Sequence, residues 1–426
     1  MKAILKFLKK IKSTIFNSIA FYPVLISLAF FFLAIILLFI ENLQITHSFK
    51  KQVPYLLVKN NETARTILST LFGGILSLTV FSFTMVMVVL NQASSNFSPR
   101  LLPGLISDKK HQIILGFYIG TILYSIILLM SLGVYGASSN AIGFSVMISA
   151  ILGIFCIGLF VYFIHSISQA IQIHNIINRI YHSSAKFLEK EKKEQNNSLY
   201  NIDTTDHFWK IIRSKKTGYY KSFDSRFIED SLKNKDNIIE IIPYADQHVW
   251  EGDPVFKIKN PITDKELESL HICLYILSNR HHEDSSIGGM IKLTEVAVKA
   301  LSPGINDPGT AINVISKLGQ LLQHALIIKP KTIIKISDCK IKIIHNKISS
   351  KELMRIIIEP IRQYAKTDSS VSYELLDSLK HINSNTKIQS EYKQDVLKEL
   401  KALCTDINEN IKNSEDVNRI LALLDN

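Results

Sequence analysis

Four uninterrupted apolar runs, at about Ile19 to Ile40, Ile67 to Leu90, Ile113 to Val134 and Ala141 to Ile164, constrain this chain more than any other feature. Each is close to the roughly 20 residues a helix needs to cross the hydrocarbon core of a bilayer, and none contains Asp, Glu, Lys or Arg. A water-facing surface would not tolerate such runs, so a wholly soluble protein is excluded. With 17 Gly, 11 Pro and 4 Cys in 426 residues, disorder, a collagen-like repeat and a disulfide-stapled secreted domain are excluded as well. The first run is too long for a signal-peptide core. It is followed by Glu41, Asn42 and Leu43 rather than a small-residue cleavage site, so it is expected to remain as an anchor.

The formal net charge is +12, and its placement decides its meaning. Up to His165 there are twelve lysines and arginines against Glu41, Glu62 and Asp108, which accounts for most of the excess. The basic character therefore belongs to membrane flanks, and a nucleic-acid partner is not expected. Cys156, Cys273, Cys339 and Cys404 are widely spaced and form no CxxC pair, which fits a reducing compartment and gives no zinc motif.

Positive flanks stay in the cytoplasm. The N-terminal tail carries five lysines, and the loop after span two carries Arg100, Lys109 and Lys110. The hairpin Tyr135 to Asn140 carries none. Both termini are therefore expected inside, although Lys50, Lys51, Lys59 and Arg65 in the first external loop argue the other way.

Beyond span four the apolar pattern Ile164, Ile167, Ile171, Ile173, Ile176, Ile177, Ile180 keeps helical spacing through polar neighbours, which predicts a stalk helix. The run KEKKEQNNS, Lys190 to Ser198, reads as a linker. TGYYKSF, a short helix capped near Asp224, IIEII, HVW, the turn EGDP and VFKI read as a strand-rich unit from Thr217 to Ile258. From Thr263 the period becomes helical, with one hairpin, TIIKIS and KIKII, and with Ser350 and Ser369 as N-caps of C-terminal helices.

The expected architecture is thus an α-helical integral membrane protein with four transmembrane helices plus a cytosolic α+β region. Residues 1–18 form a basic tail, 19–164 the four-span domain, 165–198 the stalk and linker, 199–262 the β-rich unit and 263–426 a helical domain with one hairpin.

SSNFSPRLL (Ser94 to Leu102), the pair TGYYKSFDSRFIEDSL and WEGDPVF, and above all ALSPGINDPGTA (Ala300 to Ala311) together resemble the predicted bacterial membrane proteins grouped as domain of unknown function 2254. The similarity runs from span one to about Tyr364. It implies a multi-pass protein of the bacterial cytoplasmic membrane and supplies no activity. The chain departs from the family pattern before the last motif, where it has Arg280, His281, His282, Glu283 and Asp284.

In SPGINDPGTA, Pro303 and Gly304 make a turn, Asp307 is placed to cap a helix and Pro308 fits its first position. The motif is either a rigid helix–turn–helix corner or a small-anion site built from Ser302, Gly304, Asn306, Asp307, Gly309 and Thr310, with Arg280 or Lys299 as counter-charge. His281 to Asp284, with His271 or His324, offer metal-ligand types, but a solvated loop explains them better and no cofactor or metal is expected. The chain has no GxSxG, Walker A or GxGxxG motif, so no enzyme is expected.

Gly73, Ser77, Thr84 and Asn91 form a small and polar stripe on span two, which lines a hydrated path or lets another helix approach. Gly116 with Gly120, and Ser145, Ser149 and Gly153, form similar seams better suited to packing. Ser98, Pro99 and Arg100 stand at the cytosolic end of span two as a headgroup anchor or a gate. With no ionisable residue inside the spans, a proton-coupled pump is not expected. The leading reading is a homo-oligomeric channel or transport-type protein regulated by its cytosolic domain, because four spans give few walls for a path. The rival is a non-conducting, membrane-tethered scaffold or receptor binding a small anionic ligand or a protein partner.

Overall fold

A computed structural model of the chain describes residues 18, 20–41, 58, 60–96, 109–134, 143–170, 172–196, 209–278, 285–335 and 339–425. The chain divides at Gln172/Ile173 into two compact units. Long apolar segments can satisfy their backbone groups in lipid only by helical hydrogen bonding within the segment. Among the described residues the first unit accordingly holds four helices long and apolar enough to cross a membrane: α1 Phe21–Ile40, α2 Asn61–Asn96, α3 Lys109–Val134 and α4 Gly143–Ala170.

Helix α3 is the centre of this unit, with 44% of its apolar window enclosed against 17% for α2. Small residues set the approach of its neighbours. A Cβ on Gly120 would lie 2.8 Å from the Phe30 ring of α1, one on Gly116 2.9 Å from Ile26, and one on Gly153 of α4 2.6 Å from Leu71 of α2. Tyr124 and Leu128 pack with Phe30, Ala34 and Leu68, while Tyr118 packs with Ile75, Cys156 and Phe163.

The second unit opens with α5 Ile173–Asn196, whose buried Ile176, Ile177 and Leu188 face α8 Ser286–Ala300 and α9 Pro308–Ile327. The helix expected as a stalk is therefore docked along a helical hairpin. The polar run expected as a linker is helical to Asn196. Lysine and glutamate are good helix formers, and Glu191 is fixed by Ser286 and Lys347, so composition alone misassigned this stretch.

Strands β1 Lys210–Arg213, β2 Gly218–Phe223, β3 Ile238–Ile241, β4 His248–Val249 and β5 Pro254–Ile258 follow. After α6 Asp230–Lys233, between β2 and β3, and α7 Asp264–Cys273 comes β6 Leu274–Leu277, a strand missed by the helical reading of this stretch. The hairpin β7 Lys331–Lys335 and β8 Lys342–Asn346 is antiparallel as expected. It does not stay among the helices: β8 pairs in parallel with β3, Ile239 opposite Ile343, giving one sheet in the order β1-β5-β3-β8-β7. A second sheet has the order β4-β2-β6. The β-rich and helical regions are thus interleaved around a core of Phe256, Ile239, Ile241, Leu232, Leu270 and Cys273.

The C-terminal helices are α10 Ser350–Leu353, continuing through a π-helical turn Met354–Ile358 into α11 Glu359–Ala365, then α12 Ser369–Ser384, α13 Ser390–Asn410 and α14 Ser414–Leu421. Their caps sit one residue earlier than expected: Ser349 accepts the Glu352 N–H, and Asp368 those of Ser370 and Val371. At the π-turn the Thr294 hydroxyl of α8 donates to the Ile357 carbonyl at 3.2 Å.

Candidate functional site

Helices α8 and α9 are joined at one end by the SPGIND corner. At the other end, the last turns of α5 and the strands β2 and β8 enclose a cavity of about 560 Å³. That size suits a small molecule. The TGYYKSF segment forms one wall through Tyr220, Lys221, Ser222 and Phe223. Its register shifts between Tyr220 and Ser222, and such an irregularity re-aims side chains out of the strand alternation. Leu188, Ile287, Met290 and Leu353 supply apolar walls.

Two charged clusters frame the opening. Lys221 Nζ lies 3.1 Å from Asp246 Oδ1. Asp246 is buried and holds a left-handed φ of 68°, a backbone conformation that Asp tolerates better than most residues. The Ser285 hydroxyl donates to Asp246 Oδ2 at 2.8 Å and accepts the Gly288 N–H at 3.0 Å, so one serine both caps α8 and anchors the acid. In the second cluster Glu191 of α5 accepts from the Ser286 hydroxyl at 2.8 Å and from Lys347 Nζ at 2.5 Å. An acidic group beside the first turn of α8 is favoured by the helix dipole.

The inner surface is polar but neutral. Burial, and then the nearby Lys347, push the His345 imidazole down to about 4, so it is uncharged at neutral pH. Asn346 Nδ2 donates to Glu240 Oε1 at 3.0 Å. Its Oδ1, and Thr332 Oγ1, have no hydrogen-bond partner among the described residues. Thr332 is only 5% exposed. A buried acceptor left unpaired costs free energy, and a ligand presenting N–H or O–H donors would recover it.

The residues singled out in the sequence lie elsewhere. Ser302, Gly304, Asn306, Asp307, Gly309 and Thr310 are brought together at the α8–α9 corner, about 20 Å of helix away from the cavity. Asp307 Oδ1 accepts the Thr310 N–H at 3.0 Å, Pro308 opens α9, and Asn306 holds a left-handed φ of 50°. The Ile305 and Asn306 N–H groups both go to the Ser302 carbonyl. The corner is thus closed largely by its own hydrogen bonds.

Gly73, Ser77, Thr84 and Asn91 are all exposed on α2. Ser77, Thr84 and Asn91 each follow a buried residue, Ile75, Ser82 and Val89, by two positions, which is about 200° around a helix. The stripe therefore points away from the bundle. The Ser77 and Thr84 hydroxyls donate to the carbonyls of Gly73 and Val80, each at 2.9 Å. Arg280, residues 281–284, Ser98, Pro99 and Arg100 lie outside the described residues. Among the described residues no three His, Cys, Asp or Glu side chains cluster to hold a metal ion.

The family model described as "Predicted membrane protein (DUF2254)" matches residues 17–381. The chain is 24% identical over 265 residues to "Uncharacterized protein Mb1321c" of Mycobacterium bovis and to "Uncharacterized protein Rv1290c" of Mycobacterium tuberculosis, covering 58% of this chain and 48% of each relative. The chain thus spans about half the length of the curated relatives it matches. No solved structure matches it.

Proposed function

Because the chain belongs to the DUF2254 family of predicted membrane proteins, we propose that it is a non-enzymatic transport-type protein of the bacterial inner membrane, regulated by a small ligand in its cytosolic cavity. One observation carries this reading. Helix α5 begins three residues after α4 ends, and its last turns, with Leu188, Glu191 and Glu194, wall the cavity. A ligand settling there touches the helix that follows the final apolar span in the sequence.

The lysines that line the cavity are each paired with an acid, Lys190 with Glu194, Lys221 with Asp246 and Lys347 with Glu191, so an anionic group on the ligand would compete with those carboxylates, while Asn346 and Thr332 favour a ligand that carries donors. The protein acts as a homo-oligomer in this reading: the outward stripe of α2 gives a second copy a close, partly polar face, and four spans alone give few walls for a path. Both termini lie in the cytoplasm, as the flanking lysines favour. No nucleic-acid partner is proposed.

A non-conducting tethered receptor is the second reading, and the same cavity supports it. Native mass spectrometry of the full chain purified from membranes tests the ligand half of both. The expected result is a small molecule bound to the wild type and absent from Ala245→Trp, which fills the cavity. An empty wild-type protein would count against both readings.

A further inference from the structure

Three helices of the second unit run side by side in the same direction. His174 of α5 meets Asn313 of α9 at 3.2 Å and, seven residues on in both, the Tyr181 hydroxyl donates to Gln320 Oε1 at 2.7 Å. The Ser316 hydroxyl of α9 donates to Glu374 of α12 and, again seven residues on in both, Gln323 Nε2 donates to the His381 carbonyl at 3.4 Å. These pairs put the first residues of α5, α9 and α12 within about one turn of each other along the common axis, roughly 6 Å. The SPGIND corner stands at this end, because it leads into α9.

Among the described residues from Ser286 onward, five large apolar side chains are exposed, and four of them gather at this end. Ile305 is in the corner itself. Tyr364 is in the last turn of α11, beside the start of α12, where the Ala365 carbonyl accepts the Asp368 N–H at 2.8 Å and the Ser372 hydroxyl at 3.0 Å. Tyr373 follows in α12, and Leu424 comes next to Leu423, which shares a pocket wall with Ser370 and Tyr373. The four are 37 to 49% exposed and come from separate stretches of the chain. Exposed apolar groups gathered in one place mark a contact surface, and tyrosine suits the bilayer interface, where its ring sits at headgroup level. The charges nearby are of both signs, Lys299 and Lys366 with Asp307 and Asp368, so the apolar side chains choose the partner.

The path of the chain identifies that partner. The apolar window of α4 runs to Gln169, α4 ends at Ala170 and α5 begins at Ile173. Three peptide steps reach no further than about 11 Å, and the polar layer of a bilayer is itself roughly 5 to 8 Å deep on each side. The end that carries the four exposed side chains is thus the end at which the chain arrives from a helix long and apolar enough to cross a membrane. We propose that the second unit stands on the bilayer surface by this end, with Ile305, Tyr364, Tyr373 and Leu424 in the headgroup layer. Helices α8 and α9 then lead from lipid to the cavity, whose wall includes Ser286 and Ala325 at their opposite ends.

This inference rests on the membrane half of the reading above, in which α4 crosses the bilayer, and needs nothing to be conducted. The chain has two tryptophans, Trp209 and Trp250, so single-tryptophan proteins are within reach. Trp209→Phe alone leaves Trp250, 65% exposed after β4, as the reference. Trp209→Phe with Trp250→Phe receives one new tryptophan, through Val161→Trp on the exposed face of α4 or through Ile305→Trp. Each full chain is reconstituted in phosphatidylcholine liposomes, with and without lipids brominated near the headgroup. Bromine quenching reports lipid and acrylamide quenching reports water. Val161→Trp and Ile305→Trp are expected to be quenched by brominated lipid several-fold more than Trp250, and Trp250 by acrylamide several-fold more than either. If Ile305→Trp does not fold, Tyr364→Trp takes its place with the same expectation.

Acrylamide reaching Ile305→Trp as readily as Trp250 would overturn the footing, and so would shielding from acrylamide without bromine quenching, the result for a face covered by a second copy. Equal bromine quenching of Trp250 would overturn it too, because lipid contact would not be confined to this end. In each case quenching at Val161→Trp keeps the membrane reading intact. A Val161→Trp protein untouched by brominated lipid removes that reading and the footing with it.

Discussion

The carboxylate of Glu41, at the end of α1, accepts the backbone N–H of Ser145 in the first turn of α4 at 3.1 Å. The Ser145 hydroxyl donates to the same oxygen, Oε2, and the other, Oε1, takes the Phe144 N–H at 2.7 Å. Two unpaired donors at a helix N-terminus are thereby satisfied by an acid more than a hundred residues away. In the sequence Glu41 is only the first charge after an apolar run; in the fold it joins the first span to the last.

Glu41→Ala leaves both N–H groups buried and unpaired. The variant should lose about 1.5 to 3 kcal/mol, the range for hydrogen bonds to charged groups, and Glu41→Gln should lose less. Unfolding of the full chain in detergent checks the order wild type, Gln, Ala. Equal stabilities would contradict the cap.

Gly289 sets the contact between α5 and α8. A Cβ there would come 1.8 Å from Ser184 Oγ and 3.1 Å from Ser184 Cβ. Gly289→Ala should therefore destabilise the docked helix by roughly 1 to 3 kcal/mol, the usual cost of overpacking. Adding Ser184→Ala should restore part of the loss, because it removes the nearer atom. A double variant no better than the single one would mean that the approach is set by other contacts.

Arg362 ties α11 to α13. Its Nε lies 2.7 Å from Glu399 Oε1, a second nitrogen reaches Asp406, and all three side chains are largely buried. Arg362→Met strands two acids, so stability should fall by about 3 to 5 kcal/mol. Replacing Glu399 and Asp406 as well, by Gln and Asn, should recover much of it. Denaturant unfolding of the triple variant is the check.

Acid should weaken the second unit in two steps. His345 is held from its ordinary 6.5 down to about 4, so the unfolded chain binds the extra proton and stability falls as pH drops between those values. Burial alone would raise the carboxyl of Glu266, yet Lys235, the Thr263 N–H and Ser231 outweigh it and hold the group at about 2 instead of 4.5. Its contribution is complete above pH 4.5 and is lost as pH falls toward 2. His345→Gln should flatten the first step and Glu266→Gln the second, measured as unfolding midpoints across pH. A profile unchanged by either substitution would contradict these environments.

The outward stripe on α2 makes its own forecast. Ser77→Cys should form disulfide-linked dimers in membranes under mild oxidation, while Ser82→Cys, on the buried face, should not. Cross-linking at Ser82 alone would place the interface elsewhere.

Much of the membrane unit was legible because lipid imposes a local rule: each span must be long, apolar and helical by itself. The Asp307 cap and Pro308 start were legible for the same reason, since capping is decided within a few residues. What escaped was long-range. Nothing near Lys342 announces a parallel partner at Ile238, and nothing near Lys190 announces that Glu191 will be held by Ser286 and Lys347. The cavity escaped for that reason too. TGYYKSF was visible as a family segment, but its role as a wall depends on α5, α8 and β8 arriving from three distant stretches. The stripe on span two was readable as a stripe, whereas the direction it faces was not, because small residues suit an inner seam and an outer one equally well.

The central claim is that the cavity of the second unit governs what the four apolar helices do. The most direct measurement compares flux through liposomes holding the full wild-type chain with flux through Ala245→Trp, at equal protein incorporation and oligomeric state. The account predicts measurable wild-type flux and a clear change of rate when the cavity is filled. Identical rates in the two proteins, or no flux of protons, potassium or small solutes through folded wild-type protein, would contradict it.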